Sequence, residues 1–313
     1  MVYHNNVVNL IGPYQMRSTI SLLSSILLLL SLNYPASAQS EDVGQPIVVS
    51  TIWPLHLIAA EVLGNDGSSK VLIDMNDSAH HFNLMPDDRI AIAEADVLLW
   101  IDPIFETQLG SVFDSESASA NKPVITASSL PGIKTRVFAD QTLDPHLWLD
   151  PDNVATIAEA LARQLATVAP QHAADYQQRA ADLVNGLGQI QTRIEELRDT
   201  QSKSFFVYHD AFSYIEERLE IQHIAEFVID PDAEPSMRHL LDLRQRAAES
   251  AASCVLTEPD SSEELVATVF PNQGANLIVI DVLGQDIQPG TGSYTEFLGR
   301  LLDSFGACIA PAQ

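Results

Sequence analysis

The run Ser204-Phe205-Phe206-Val207-Tyr208-His209, followed at once by Asp210, decides the fold. Its aromatic and apolar residues suit a buried strand, and a helix start follows at Asp210. A strand that passes directly into a helix is the building unit of a parallel sheet covered by helices. The same alternation continues outward in both directions. Upstream, strands are expected at Ile47–Ser50, Val71–Asp74, Val97–Ile101 and Val124–Thr126; downstream, at His223–Ile229, Cys254–Glu258 and Leu277–Asp281. The unbroken run Leu277-Ile278-Val279-Ile280 reads as a strand buried on both faces.

Between the two sets of strands lies a long helical stretch. Asp150 can cap a helix that has Pro151 at its first position, and Val154, Ile157, Ala158, Leu161 and Leu165 form one apolar face. Pro170 punctuates the pattern. A second pattern runs from about Ala173 to Arg198, roughly 26 residues or about 39 Å if continuous, although Gly186 and Gly188 weaken its middle. The expectation is an α/β protein of two small lobes with parallel sheets covered by helices, joined by a long backbone helix. The lobes would span 39–170 and 203–313, with the linker helix at 171–202. A length of 313 residues suits two such units. The acid- and serine-bearing segment Gly110–Lys122 reads as a solvated loop.

Acids outnumber bases 42 to 16, a formal charge of −26, so phosphate backbones and anionic lipid surfaces would be repelled and nucleic-acid binding is excluded as a leading function. Residues 1–38 read as a signal peptide. Arg17 precedes an uncharged, largely apolar run from Ile20 to Leu32, too short for a bilayer span, and Ala36-Ser37-Ala38 supplies a small-residue cleavage site. No cysteine follows that site for lipid attachment, and no second long apolar segment occurs, so the mature chain is expected to be exported and soluble. Cys254 and Cys308 then read as a disulfide, the alternative being two buried thiols.

Nine histidines are present. His56, His172, His223 and His239 lie in or beside helices and strands, where packed or surface roles suffice. His209 stands at the carboxyl end of its strand, where open parallel sheets bind ligands. His80 and His81 fall in a loop before Pro86. His146 lies in Asp144-Pro145-His146-Leu147-Trp148-Leu149-Asp150-Pro151, between two Asp-Pro turns. Asp230, Glu258 and Asp281 add carboxylates at strand ends. Read from the residues alone, these groups make a candidate metal site between two lobes and nothing more specific.

The segments around them resemble the substrate-binding proteins of metal-ion ABC transporters, specifically the ZnuA-like zinc uptake family. The likeness is carried by Ala79-His80-His81-Phe82-Asn83-Leu84-Met85-Pro86, by Asp144–Pro151, by Phe206-Val207-Tyr208-His209-Asp210-Ala211-Phe212, by Cys254–Pro259 and by Ile280-Asp281-Val282-Leu283-Gly284, in family order. The resemblance implies that His80, His146 and His209 bind the metal, with Asp281 or water completing the site. It implies a Cys254–Cys308 disulfide, a monomer without catalytic function, a periplasmic location, and delivery of Zn²⁺ to an inner-membrane ABC permease with its ATPase. The chain lacks the histidine-rich loop of many zinc members, since Gly110–Lys122 has none, and Ala79 stands where some carry an acid.

Three neutral imidazoles with one carboxylate or water suit tetrahedral Zn²⁺. Manganese relatives typically replace the third histidine by a carboxylate, so His209 favours zinc over a manganese or iron receptor of the same fold. A zinc hydrolase would need an open metal position and a general base; Glu258 could be imagined there, but no His-Glu-x-x-His run occurs. Asp144 and Asp210 are candidates to orient the imidazoles, or equally plain turn formers.

Overall fold

The computed structural model describes residues 44–73, 82–113, 115, 122–200, 204–228, 233–250, 252, 254–271 and 274–309. The signal peptide, His80, His81 and Asp230 lie outside them. Gly44–Gln313 forms one compact unit.

The first lobe is a four-stranded parallel sheet. Its strands are β1 (Ile47–Ser50), β2 (Ser68–Val71), β3 (Val97–Trp100) and β4 (Val124–Thr126), in the order β2-β1-β3-β4. Helices α1 (Trp53–Leu63), α2 (Pro86–Glu94) and α3 (Thr107–Phe113) make the connections. β3 is the expected apolar strand, buried along its whole length. β2 lies earlier than the expected Val71–Asp74. The polar Ser68-Ser69-Lys70 occupies an outer strand with alternating exposure, so hydrophobicity could not mark it. Leu72 and Ile73 still donate to Ser50 and Thr51, and both are buried. The expected loop at 110–122 is also corrected at its start: Gly110 and Phe113 are buried residues of α3.

A two-stranded antiparallel hairpin, β5 (Arg136–Val137) and β6 (Leu143–Asp144), leads into α4 (Pro151–Val168). Asp150 caps α4 as expected, its carboxylate accepting the Asp152 amide at 2.8 Å, and the expected apolar face is buried. α5 (Ala173–Thr200) then runs 28 residues without interruption. Gly186 does not break it, because the missing side chain is what lets α5 approach the last helix. A Cβ there would stand 2.7 Å from Thr295 Oγ1.

The second lobe repeats the plan with β7 (Phe206–His209), β8 (Glu226–Val228), β9 (Cys254–Thr257) and β10 (Asn276–Val279), in the order β10-β9-β7-β8, all parallel. Its helices are α6 (Ser213–Leu219), α7 (Met237–Glu249), α8 (Glu263–Val269) and α9 (Ser293–Ile309). Side-chain alternation along β7 and β9 sends Phe206 and Val255 into one core, and Val207, Cys254 and Leu256 into another. The second of these cores continues without a break through α5 and α9 into the first lobe. β10 corrects an expectation. It is an outer strand with both end residues exposed, because a short apolar run does not distinguish an outer strand from an inner one.

Cys254 and Cys308 form a disulfide between the start of β9 and the end of α9. Glu61 of α1 reaches across to the start of α9. Its buried carboxylate accepts from the Gly292 amide and Ser293 hydroxyl, each at 3.1 Å, and from the Tyr294 amide at 2.5 Å. The carboxylate thus satisfies an otherwise unpaired amide in the first turn of α9, that of Tyr294, from within the other lobe.

Candidate metal centre

The hairpin β5–β6 and the capped start of α4 hold residues 144–150 between two fixed ends. Asp144 is buried, and its Oδ1 accepts both the His146 amide at 3.0 Å and the His146 Nδ1 at 2.8 Å. That contact sets the ring's direction and leaves its Nε2 pointing away from Asp144. Trp148 packs beside the ring, with centroids 5.1 Å apart.

His209 is the last residue of β7, an inner strand of the second sheet, and is also buried. Its Nδ1 bonds to Glu258, which directly follows β9. Glu258 is itself held where its amide donates to Ser261 Oγ at 2.7 Å. Burial pulls the His209 pKa down. The charge and hydrogen bond of Glu258, with the charges of Asp210 and Asp144, outweigh burial and hold it above the ordinary histidine value.

The two rings meet: His146 Nε2 and His209 Nε2 are 3.3 Å apart. When each Nδ1 donates its proton to a carboxylate, both Nε2 atoms present lone pairs to one another. Such an arrangement is favourable only with a proton or a cation between them. The edge of a tetrahedron around an ion with Zn–N bonds of 2.0–2.1 Å is about 3.3 Å, the same as this separation. Two imidazoles, each braced by a carboxylate on its far nitrogen, are ready to share one borderline divalent ion.

Asp281 lies two residues beyond β10. Its Oδ1 accepts from the amides of Leu283 at 2.9 Å and Gly284 at 2.8 Å, and its Oδ2 from Gln285 at 2.6 Å. Gly284 is required by this turn, since its φ is +70° and a Cβ would meet Phe297 at 2.6 Å. Among the described residues, His146, His209 and Asp281 do not bring three ligand atoms within 4.8 Å of one another. His80 lies outside the described residues; the flanks of its loop, Ile73 and Phe82, are buried in the first lobe's core.

Of the two acids considered as supports for the imidazoles, Asp144 takes that role. Asp210 accepts from Ser213 Oγ at 3.2 Å at the start of α6, a turn contact. The partner of His209 is Glu258, a strand-end carboxylate that sequence reasoning weighed as a hydrolase base and not as a support for this ring. The packed or surface reading fits the other histidines: His56 bonds Ser69 at 2.6 Å, His223 bonds Glu216 at 2.7 Å and His239 Nε2 bonds the Glu226 carbonyl at 2.9 Å, while the partly exposed His172 lies 3.5 Å from Asp66.

A family model described as zinc-uptake complex component A, periplasmic (ZnuA), matches residues 48–308. The chain belongs to the ZnuA family. The family comprises substrate-binding proteins of transport systems and not enzymes. Among curated relatives, the high-affinity zinc uptake system protein ZnuA of Brucella suis biovar 1 is 25% identical over 307 residues, covering 84% of this chain and 91% of its own. That of Paracoccus denitrificans is 26% identical over 330 residues, covering 91% and 98%. Among solved structures, a ZnuA crystal structure aligns with a TM-score of 0.73 at 21% identity, covering 85% of this chain and 99% of that one. The periplasmic zinc-binding protein TroA of Treponema pallidum aligns at 0.74 and 18% identity, covering 86% and 100%. The two-lobed architecture with its long helix is the fold these structures share.

Proposed function

We propose that this protein is an exported receptor that binds Zn²⁺ between its lobes and delivers it to an inner-membrane ABC permease with its ATPase. The observation that carries the reading is the pair of imidazole Nε2 atoms 3.3 Å apart, one from each lobe. His146 and His209 supply two ligands and His80 the third. The fourth position is taken by Asp281 or by water. A carboxylate offers four lone-pair directions, and the three amides around Asp281 use three of them, so Oδ2 keeps one for an ion. Imidazole at position 209, where a harder ion would be better served by a carboxylate, supports zinc over manganese or iron.

The ion is cargo, and the chain's own groups do the work around it. Asp144 and Glu258 keep both rings in the tautomer that ligates through Nε2, and burial keeps competing water away from them. The first lobe is taken to end near residue 170, with the strut over 171–202 and the second lobe beyond. Residues 1–38 direct export and are removed in the course of it, and among the described residues no helix is long and apolar enough to cross a membrane.

The test is elemental analysis of protein purified without chelators, repeated on His80→Ala, His146→Ala and His209→Ala. The reading expects about one zinc per chain in the wild type and loss of most of it in each variant. Manganese or iron in place of zinc, or full zinc content in the His209→Ala protein, would overturn it.

A further inference from the structure

We propose that α6 is a positioning element for the metal centre, holding the His146 segment of the first lobe at the distance from His209 that one ion can bridge. The proposal rests on the zinc-receptor reading and extends it to residues that touch no metal. α6 begins four residues after His209. Tyr214, Glu217 and Arg218 lie at i, i+3 and i+4, on one face of the helix. All three bond to the first lobe, on both sides of His146.

Upstream of His146, the buried Tyr214 hydroxyl donates to the Asp144 carbonyl at 3.0 Å and accepts the Arg136 amide at 3.0 Å. Glu217 pairs with the Arg136 guanidinium. Downstream, Arg218 donates through Nη2 to Asp150 Oδ1 at 2.6 Å and also pairs with Asp152. Asp144 is the residue whose carboxylate aims the His146 ring, and Asp150 is the cap that starts α4. The same helix thus follows closely on the strand that ends in His209 and is bonded to both ends of the loop that carries His146. Elsewhere in the second lobe, the Val282 carbonyl accepts from Trp148 Nε1 at 2.9 Å, and the Tyr294 hydroxyl donates to the Trp148 carbonyl at 2.7 Å. The separation of the two imidazoles is therefore set by contacts that span the lobe boundary.

The test uses the full mature chain with Tyr214→Phe, which keeps the ring and removes the hydroxyl. Zinc affinity is read by competition with a chelating dye, coordination by the visible absorption of the Co²⁺ complex, and folding by thermal unfolding of the apoprotein. The expected result is a folded protein whose zinc affinity falls roughly tenfold or more and whose Co²⁺ bands shift or weaken. A purely structural tyrosine would lower the unfolding temperature and leave both metal readouts unchanged, and that outcome overturns the proposal. If Tyr214→Phe does not fold, Arg218→Gln and Glu217→Gln decide by the same two metal readouts. If the wild type takes up no zinc, or His209→Ala binds as the wild type does, the receptor reading fails first and takes the proposal with it.

Discussion

A neutral imidazole ligates through one nitrogen, and whatever holds the other nitrogen decides where the ring points. In this protein Asp144 does that for His146 and Glu258 for His209. Glu258→Ala is expected to weaken zinc binding by about 10- to 100-fold, with Glu258→Gln milder because its amide oxygen still accepts from Nδ1. Equal chelator-competition curves for Glu258→Ala and the wild type would contradict this. A third histidine–carboxylate pair, His223 with Glu216, lies apart from these two. Burial disfavours the charged His223 ring, yet hydrogen bonds to Glu216 and Glu226 push its pKa up to about 10. The folded state thus holds a proton that the unfolded chain releases near pH 6.5, so the contribution is complete below that pH and lost as pH rises through about 10. Urea unfolding should find His223→Gln less stable than the wild type by about 3 kcal/mol at pH 6, with the gap narrowing toward pH 10. His209 and His146 were legible as candidates because each stands where a strand end or a pair of Asp-Pro turns fixes it. Glu258 was not legible as the partner of His209. Their contact joins the ends of two strands with a helix-bearing segment of chain between them, and nothing local in either segment signals it.

At the level of elements, apolar pattern predicted what is buried and failed where burial is partial. β3 and the inward face of α4 were readable because every residue or every third to fourth residue is apolar. β2 was misplaced because Ser68, Ser69 and Lys70 form an outer strand by hydrogen bonds that any sequence can make. β10 was misjudged from the opposite direction, an apolar run on an exposed edge. The two glycines of α5 show the same division between local pattern and tertiary packing. Gly188 faces open space, whereas Gly186 lies against Thr295. Gly188→Ala is therefore expected to stabilise the protein by about 0.5–1 kcal/mol, as a helix residue gains propensity. Gly186→Val should destabilise it by about 1–3 kcal/mol through overpacking against α9. Urea unfolding of the two variants checks both signs, and identical midpoints would remove the packing argument. The disulfide joins residues 54 apart, a loop whose closure contributes roughly 4 kcal/mol on the chain-entropy model and fastens α9 to the second sheet.

Over the whole molecule, the lobes are not independent bodies on a hinge of bare helix. One core runs through both, Glu61 of the first lobe caps α9 of the second, and α6 grips the segment around His146. The alternation of strands and helices foretold two sheets and a strut, but not these cross-lobe contacts, which pair residues remote in sequence. Proton competition at the shared site gives a whole-protein consequence. Because His209 is held above the ordinary histidine range, zinc affinity should begin to fall above pH 6.5 and continue downward as pH drops. Calorimetric titration at pH 8, 7 and 6 checks it, and an affinity flat across that range would contradict it. The central claim, that one ion is gripped by imidazoles from both lobes, is tested most directly by zinc X-ray absorption on the one-equivalent complex. The account predicts a four-coordinate ion with about three imidazoles at roughly 2.0 Å, and one imidazole fewer in His146→Ala and in His209→Ala. A first shell built only of oxygens, or a spectrum unchanged by both substitutions, would contradict it.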